Sequence, residues 1–130
     1  MKTFIIAELA TTWRYSDEVT PLADAIKACA AAGASAVKLQ YCSDPDELAI
    51  RRTVSQGTYD YLYFDQTHLF FAAEYAKLHG LEFMCTVFLP KDVKLISHFV
   101  NRYKVASLEA LSCELRDAYI AVAKKPLYVS

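Results

Sequence analysis

The chain has no apolar run approaching the ~18 residues that a membrane-spanning helix needs, so no membrane partner is expected. No charged leader, long apolar stretch and cleavage site follow Met1, so no secretory signal is expected either. There is no Cys-x-x-Cys pair and no histidine at zinc-finger spacing. Cys29, Cys42, Cys85 and Cys113 are dispersed instead, which argues against a structural zinc module or a redox dithiol and reads as core thiols in a reducing cytoplasm. No long run of either charge occurs. Fourteen basic and fifteen acidic residues give a formal net charge of −1, without the basic stripe of a nucleic-acid binder, so nucleic acid is not an expected partner. Low-complexity tracts and internal repeats beyond a strand–helix unit are also missing.

What is present is 130 residues with 55% hydrophobic content, enough for one domain with a core and too apolar for disorder. Short apolar runs end on polar residues suited to phosphate or protons: Phe4 to Ala7 on Glu8, Ala36-Val37 on Lys38 and Gln40, and Phe83 to Cys85 on Thr86. The run from Tyr103 to Ala106 carries Lys104, Ser107 and Glu109, and Leu127 to Val129 closes on Ser130. Functional side chains at the same end of successive strands imply a parallel sheet with its site at the carboxyl edge.

Between these runs the apolar spacing turns helical. Val19, Leu22, Ala23, Ile26 and Ala30 share one face, with Thr20-Pro21 as a start and Gly33 as a stop. Asp65 caps a second predicted helix running to Gly80, a third is predicted near Pro90 to Val100, and Ser112 caps a fourth. The order β-α-β-α-β-α-β-α-β is the pattern of right-handed parallel crossovers, so the fold class is α/β. The stretch from Tyr41 to Phe64 is too long for an ordinary strand-to-helix connection. It reads either as a substrate-covering loop or as tyrosines packed on a barrel mouth.

Lys38 and Gln40 are two apart on a strand and share a face, and the same spacing puts Ser107 and Glu109 on one face. An ammonium on a buried sheet face is costly unless an anion meets it, so Lys38 is either a ligand-binding residue or one that snorkels to the rim. Lys104 differs in parity from Ser107, so both serve one pocket only if the strand bulges or ends between them; otherwise Lys104 points to solvent. Two lysines with hydroxyls from Thr86, Ser107 and Ser130 suit a phosphorylated anion. Glu8 and Glu109 are then acid–base candidates, or simple ion-pair partners for the lysines. His68, His79 and His98 fall on predicted helices and are expected at the surface rather than as metal ligands.

The succession Phe4-Ile5-Ile6-Ala7-Glu8, Ala32 to Gln40, Phe83-Met84-Cys85-Thr86-Val87-Phe88, Tyr103 to Glu109 and Lys125 to Ser130 resembles the amino-terminal half of the N-acetylneuraminate (sialic acid) synthase family, over essentially the whole chain. The resemblance implies a TIM barrel, here partial: about four βα units plus a fifth strand, with residues 1–130 a single domain and a fragment of a longer synthase. It implies a transferase that forms a carbon–carbon bond between phosphoenolpyruvate and an N-acetylated hexose in nonulosonate biosynthesis. By resemblance, Lys38, Thr86, Lys104, Ser107 and Ser130 match positions holding phosphoenolpyruvate, Gln40 one touching the amino sugar, and Glu109 and Glu8 the catalytic carboxylates.

The family uses a divalent metal, Mn or Mg, held by two histidines on strands six to eight, which this chain lacks, so no metal ligand is assigned and the chain alone is expected to be inactive. Its sequence departs from the family at Leu9 to Arg14, where Gly-x-Asn-His-x-Gly is usual, at Leu108, where Gly is usual, and at Val87, where Pro is usual. A barrel needs at least about 200 residues, so self-association or a complementing carboxyl-terminal half is an expected partner. The alternatives are a non-catalytic half-barrel that binds a phospho-ligand or acts as a scaffold, and another phosphoenolpyruvate or phosphosugar TIM-barrel enzyme.

Overall fold

A computed structural model describes residues 3–14, 18–122 and 124–130. Among these residues, β1 (Ile6–Ala10), β2 (Ala36–Tyr41), β3 (Glu82–Val87), β4 (Arg102–Val105) and β5 (Leu127–Val129) form one sheet in the order β1-β2-β3-β4-β5, every neighbouring pair parallel. Helices α1 (Thr20–Ala31), α2 (Pro45–Arg51), α3 (Gln66–Leu78), α4 (Pro90–Ile96) and α5 (Cys113–Val122) connect them. Sequential parallel strands joined by helices make the open half of a (β/α) barrel, in agreement with the fold class expected from the sequence. None of the described helices is long and apolar enough to cross a membrane.

The parity of the strands separates two faces. Val37, Leu39 and Tyr41 of β2, Phe83, Cys85 and Val87 of β3, and Tyr103 and Val105 of β4 are buried in one cluster with Leu22 and Ile26 of α1, Leu69 and Ala76 of α3, Val93 and Ile96 of α4, and Leu115 and Tyr119 of α5. The core is therefore the layer between sheet and helices. The alternate residues, which in a closed barrel point to its axis, form the other face: Glu8 pairs in register with Lys38, Lys38 with Met84, Gln40 with Thr86, and Thr86 with Lys104.

Local chemistry accounts for the helix ends. The Asp65 carboxylate accepts from Thr67 N at 2.8 Å at the start of α3, and Ser112 Oγ accepts from Leu115 N at 3.2 Å at the start of α5. α1 begins one residue earlier than expected: Val19 is the cap residue and Thr20 the first helical one, so the Thr20 hydroxyl does not cap. α4 stops at Ile96 rather than Val100, which is buried just beyond the helix. There Asn101 closes the connection by exchanging two 2.8 Å bonds with Phe83, its N–H to the Phe83 carbonyl and its Oδ1 accepting from Phe83 N.

Four further expectations change. The stretch from Tyr41 to Phe64 is not one loop: Asp44 accepts from Glu47 N at 2.9 Å and Pro45 opens α2, while Asp60–Leu62 forms a 3-10 turn. Ser107 and Glu109 do not share a strand face, because β4 ends at Val105 and Glu109 begins a 3-10 turn, Glu109–Leu111. Cys42 and Cys85 are core thiols, but Cys113 at the start of α5 is exposed. His98 is exposed as expected, whereas His68 stacks on Trp13 and edges Phe64, with its Nδ1 buried and without a hydrogen-bond partner.

A buried carboxylate ties the end of β2 to α4. Asp92, in the first turn of α4, accepts from Ser43 N at 3.0 Å, and burial raises its pKa above the ordinary carboxylate value. Because folding favours its protonated form, ionisation costs stability as the pH rises through the unfolded value of about 4 and on through the raised folded one. Asp92→Asn keeps an acceptor for Ser43 without that cost. Chemical denaturation at pH 3.5 and pH 7 should show the variant gaining on the parent at the higher pH, and a gap independent of pH would contradict this.

Gly80 follows α3 with φ +74, and no atom lies within 4 Å of where a Cβ would sit. Gly80→Ala should therefore lose about 1 kcal/mol through backbone strain alone, read as a lower urea midpoint with unchanged slope.

Candidate functional site

At the carboxyl edge of the sheet, the axis-facing parity gathers Glu8, Lys38, Thr86, Lys104 and Ser130. Lys38 is only 7% exposed. Its ammonium is ion-paired with Glu8 and donates to Thr86 Oγ1 at 3.1 Å. On the next strands Lys104 Nζ donates to the Val105 carbonyl at 2.7 Å and to Ser130 Oγ. Burial first, and then the neighbouring Lys38 charge, hold the Lys104 pKa below the ordinary lysine value, while Glu8 acts in the opposite direction. Both hydroxyls accept from an amine, so each keeps its own O–H free to donate to an incoming anion. Two amines and two such hydroxyls can neutralise and orient a small phosphate or carboxylate.

Glu8 is aimed by an irregular strand end. The pairing of β1 with β2 shifts between Glu8 and Ala10, and Ala10 N donates to Glu8 Oε1 at 2.9 Å. Ala10 takes φ +47, a left-handed conformation that a side chain disfavours. The bulge fixes one carboxylate oxygen on the backbone while the other meets Lys38. Ala10→Gly should remove the strain and raise stability by roughly 0.5–1 kcal/mol in denaturant titrations; a loss would show that the Ala10 methyl matters more than its backbone angle.

The remaining sequence candidates are placed elsewhere. Gln40 shares the face of Lys38 as its spacing required, in register with Thr86. Ser107 is exposed in the turn after β4, outside the amine cluster. Glu109 is 7% exposed but pairs with Arg52 at the end of α2, whose guanidinium lies 5.2 Å from the Tyr59 ring and 5.5 Å from that of Phe88. These groups line a groove of about 720 Å³ that none of the cluster residues lines. The β4 turn decides this placement: once the strand stops at Val105, residue parity no longer controls where Glu109 points.

Arg52 is the functional-edge residue that sequence reasoning missed. Its only signal was an arginine pair in a charge-rich stretch, with Asp44-Pro45 marking the unrecognised helix that carries it.

The Leu9 to Arg14 segment is drawn outward. Trp13 is buried against Phe64 and His68, and Arg14 Nη1 donates to the carbonyls of Asp60 and Tyr61 at 3.3 and 2.9 Å. For a divalent cation the cluster offers one carboxylate, already committed to Lys38, and no imidazole. No group of three His, Cys, Asp or Glu residues placed to hold a metal occurs among the described residues. The residues described here do not by themselves fit such an ion.

Sequential parallel βα units of this kind make the wall of a TIM barrel, and the solved structures that resemble this one bear out that fold. Residues 25–130 match the NeuB family model, and the chain belongs to the NeuB family. Spore coat polysaccharide biosynthesis protein E of Chromobacterium violaceum aligns over 98% of this chain and 40% of its own, at 22% identity and a TM-score of 0.77. Spore coat polysaccharide biosynthesis protein SpsE of Bacillus subtilis aligns over 97% and 35%, at 24% identity and 0.70. A truncated 3-deoxy-D-arabino-heptulosonate 7-phosphate synthase of Thermotoga maritima aligns over 97% and 40%, at 13% identity and 0.66. The chain thus spans about a third to two fifths of the length of these structures. No curated protein matches it.

Proposed function

We propose that the chain is the phosphoenolpyruvate-holding half of a synthase of carbohydrate biosynthesis, one that condenses phosphoenolpyruvate with an N-acetylated hexose. The observation that carries this reading is the convergence of Lys38, Thr86, Lys104 and Ser130 on one face at the carboxyl edge. Family membership and the polysaccharide-biosynthesis names of two structural relatives support it. In this reading the two amines hold the phosphate and carboxylate, and the free O–H groups of Thr86 and Ser130 fix their orientation, a proximity and electrostatic contribution. Glu8 is displaced from Lys38, or shares it, as the anion enters, and then serves as a proton carrier at the reacting centre. Ser107 and Glu109 join the site only if the turn after β4 rearranges and Glu109 leaves Arg52. Any divalent metal takes its ligands from strands beyond those described.

A half-barrel of this kind is inactive alone and is completed by a complementing half or by self-association. Among the described residues the strands at both ends of the sheet pair on one side only, and Leu127 and Val129 of β5 are 42% and 62% exposed where their register partners Tyr103 and Val105 are covered.

Calorimetric titration with phosphoenolpyruvate should show one site, weakened about 10- to 100-fold by Lys38→Ala, the loss expected for a charge-assisted hydrogen bond. Equal affinity in both proteins would remove Lys38 from the site. Turnover is expected only when residues 1–130 stand within a closed barrel.

A further inference from the structure

The two amines of the cluster have different partners. Lys38 is backed by a counter-ion, the Glu8 carboxylate. The hydrogen bonds of Lys104 go to two neutral oxygens, the Val105 carbonyl and Ser130 Oγ, and Lys104 is partly withdrawn from solvent next to a fixed positive charge. An amine placed beside a second cation with reduced hydration gives up its proton more readily than an exposed lysine, and the neutral amine is the state that attacks carbonyl carbon. Burial and Lys38 lower its pKa, in keeping with that placement. Thr86 stands between the two, in register with Lys104 and hydrogen-bonded to Lys38. An anion held by Lys38 and Thr86 therefore lies one strand away from Lys104, which Thr86 faces in register.

We propose that Lys104 forms an imine with small 2-oxo acids, whose carboxylate is held by Lys38 and Thr86. The inference goes beyond the phosphoenolpyruvate reading but uses the same anion-holding wall. In the step, the free amine adds to carbonyl carbon C2; the new C–N bond forms as the C=O π pair moves to oxygen. That oxygen is protonated twice and departs as water while the nitrogen lone pair closes the C=N bond. Glu8, whose charge reaches Lys104 as well as Lys38, takes two protons from the Lys104 nitrogen in turn, one from the ammonium before addition and one after the C–N bond has formed, and returns both to the departing oxygen. The balance is ammonium plus 2-oxo acid giving iminium plus water, with no redox change and no further reactant.

The test is incubation of the chain with pyruvate and sodium cyanoborohydride, followed by digestion and mass mapping of the lysine peptides. A reduced adduct is expected on Lys104 at roughly tenfold or more the level on exposed Lys27 and Lys77, the gain a held carboxylate provides through proximity. It should vanish in Lys104→Arg, checked by circular dichroism for folding, and fall in Lys38→Gln.

Equal labelling of Lys104, Lys27 and Lys77 overturns the proposal. So does an adduct level at Lys104 unchanged by Lys38→Gln. Should Lys104→Arg fail to fold, the site ratios in the unaltered chain decide alone. Phosphoenolpyruvate binding without Lys104 labelling sinks the imine and leaves the phosphoenolpyruvate reading standing; labelling without phosphoenolpyruvate binding does the reverse.

Discussion

Lys38 sets its amine on a sheet face where the residue is 7% exposed, and an ammonium in such a place is tolerated only when carboxylate and hydroxyl oxygens replace the water it has lost. Much of the strand-edge structure answers that demand. β1 bulges so that Glu8 reaches the ammonium, Ala10 accepts a left-handed backbone to keep it there, and Thr86 on β3 supplies the second oxygen. Neutralised in this way, the charge remains at the carboxyl edge and can be handed to a ligand.

The opposite face works by a different rule. There Val37, Leu39, Phe83, Cys85 and Tyr103 meet α1, α3, α4 and α5 in a dry layer, and the burial of these side chains holds the strands in parallel register. The layer thins at β5, whose outward residues lack the cover their neighbours have. Sequential parallel strands with an apolar, helix-covered face and a polar face are the organisation of a (β/α) barrel wall. The alignment of the chain with a third to two fifths of several TIM-barrel structures agrees with that organisation.

Charge pairing also governs the segment between β2 and α3. Arg51 bridges Glu47 and Glu114, Arg52 takes Glu109, and Lys91 holds Asp44 and Glu47, so α2 is fastened to both the α4 start and the turn after β4. Asp44 and Glu47 are pulled below the ordinary carboxylate range, Asp44 by the Glu47 backbone N–H and then Lys91, Glu47 by Lys91 and then Arg51. Exposed pairs of this kind contribute little individually. Their geometric effect is larger here, because Arg52 holds Glu109 once the turn after β4 has placed it.

The strand–helix order, the caps at Asp65 and Ser112, and the shared face of Lys38 and Gln40 were legible in the residues, since hydrophobic period and capping chemistry act over a few positions. The same reading ran past Asp44-Pro45, a helix start hidden in a charged stretch. It also carried strand parity across Val105 to Ser107 and Glu109, where the strand had ended.

The amino-acid sequence by itself determined which side chains each strand presents to which face, because a strand's alternation depends on nothing beyond its own backbone. Only the tertiary structure decided that Glu8 meets Lys38, that Ser130 meets Lys104 and that Glu109 meets Arg52. Those pairings join residues 26 to 57 positions apart, and they follow from register between strands and from where turns end, quantities that no local pattern encodes.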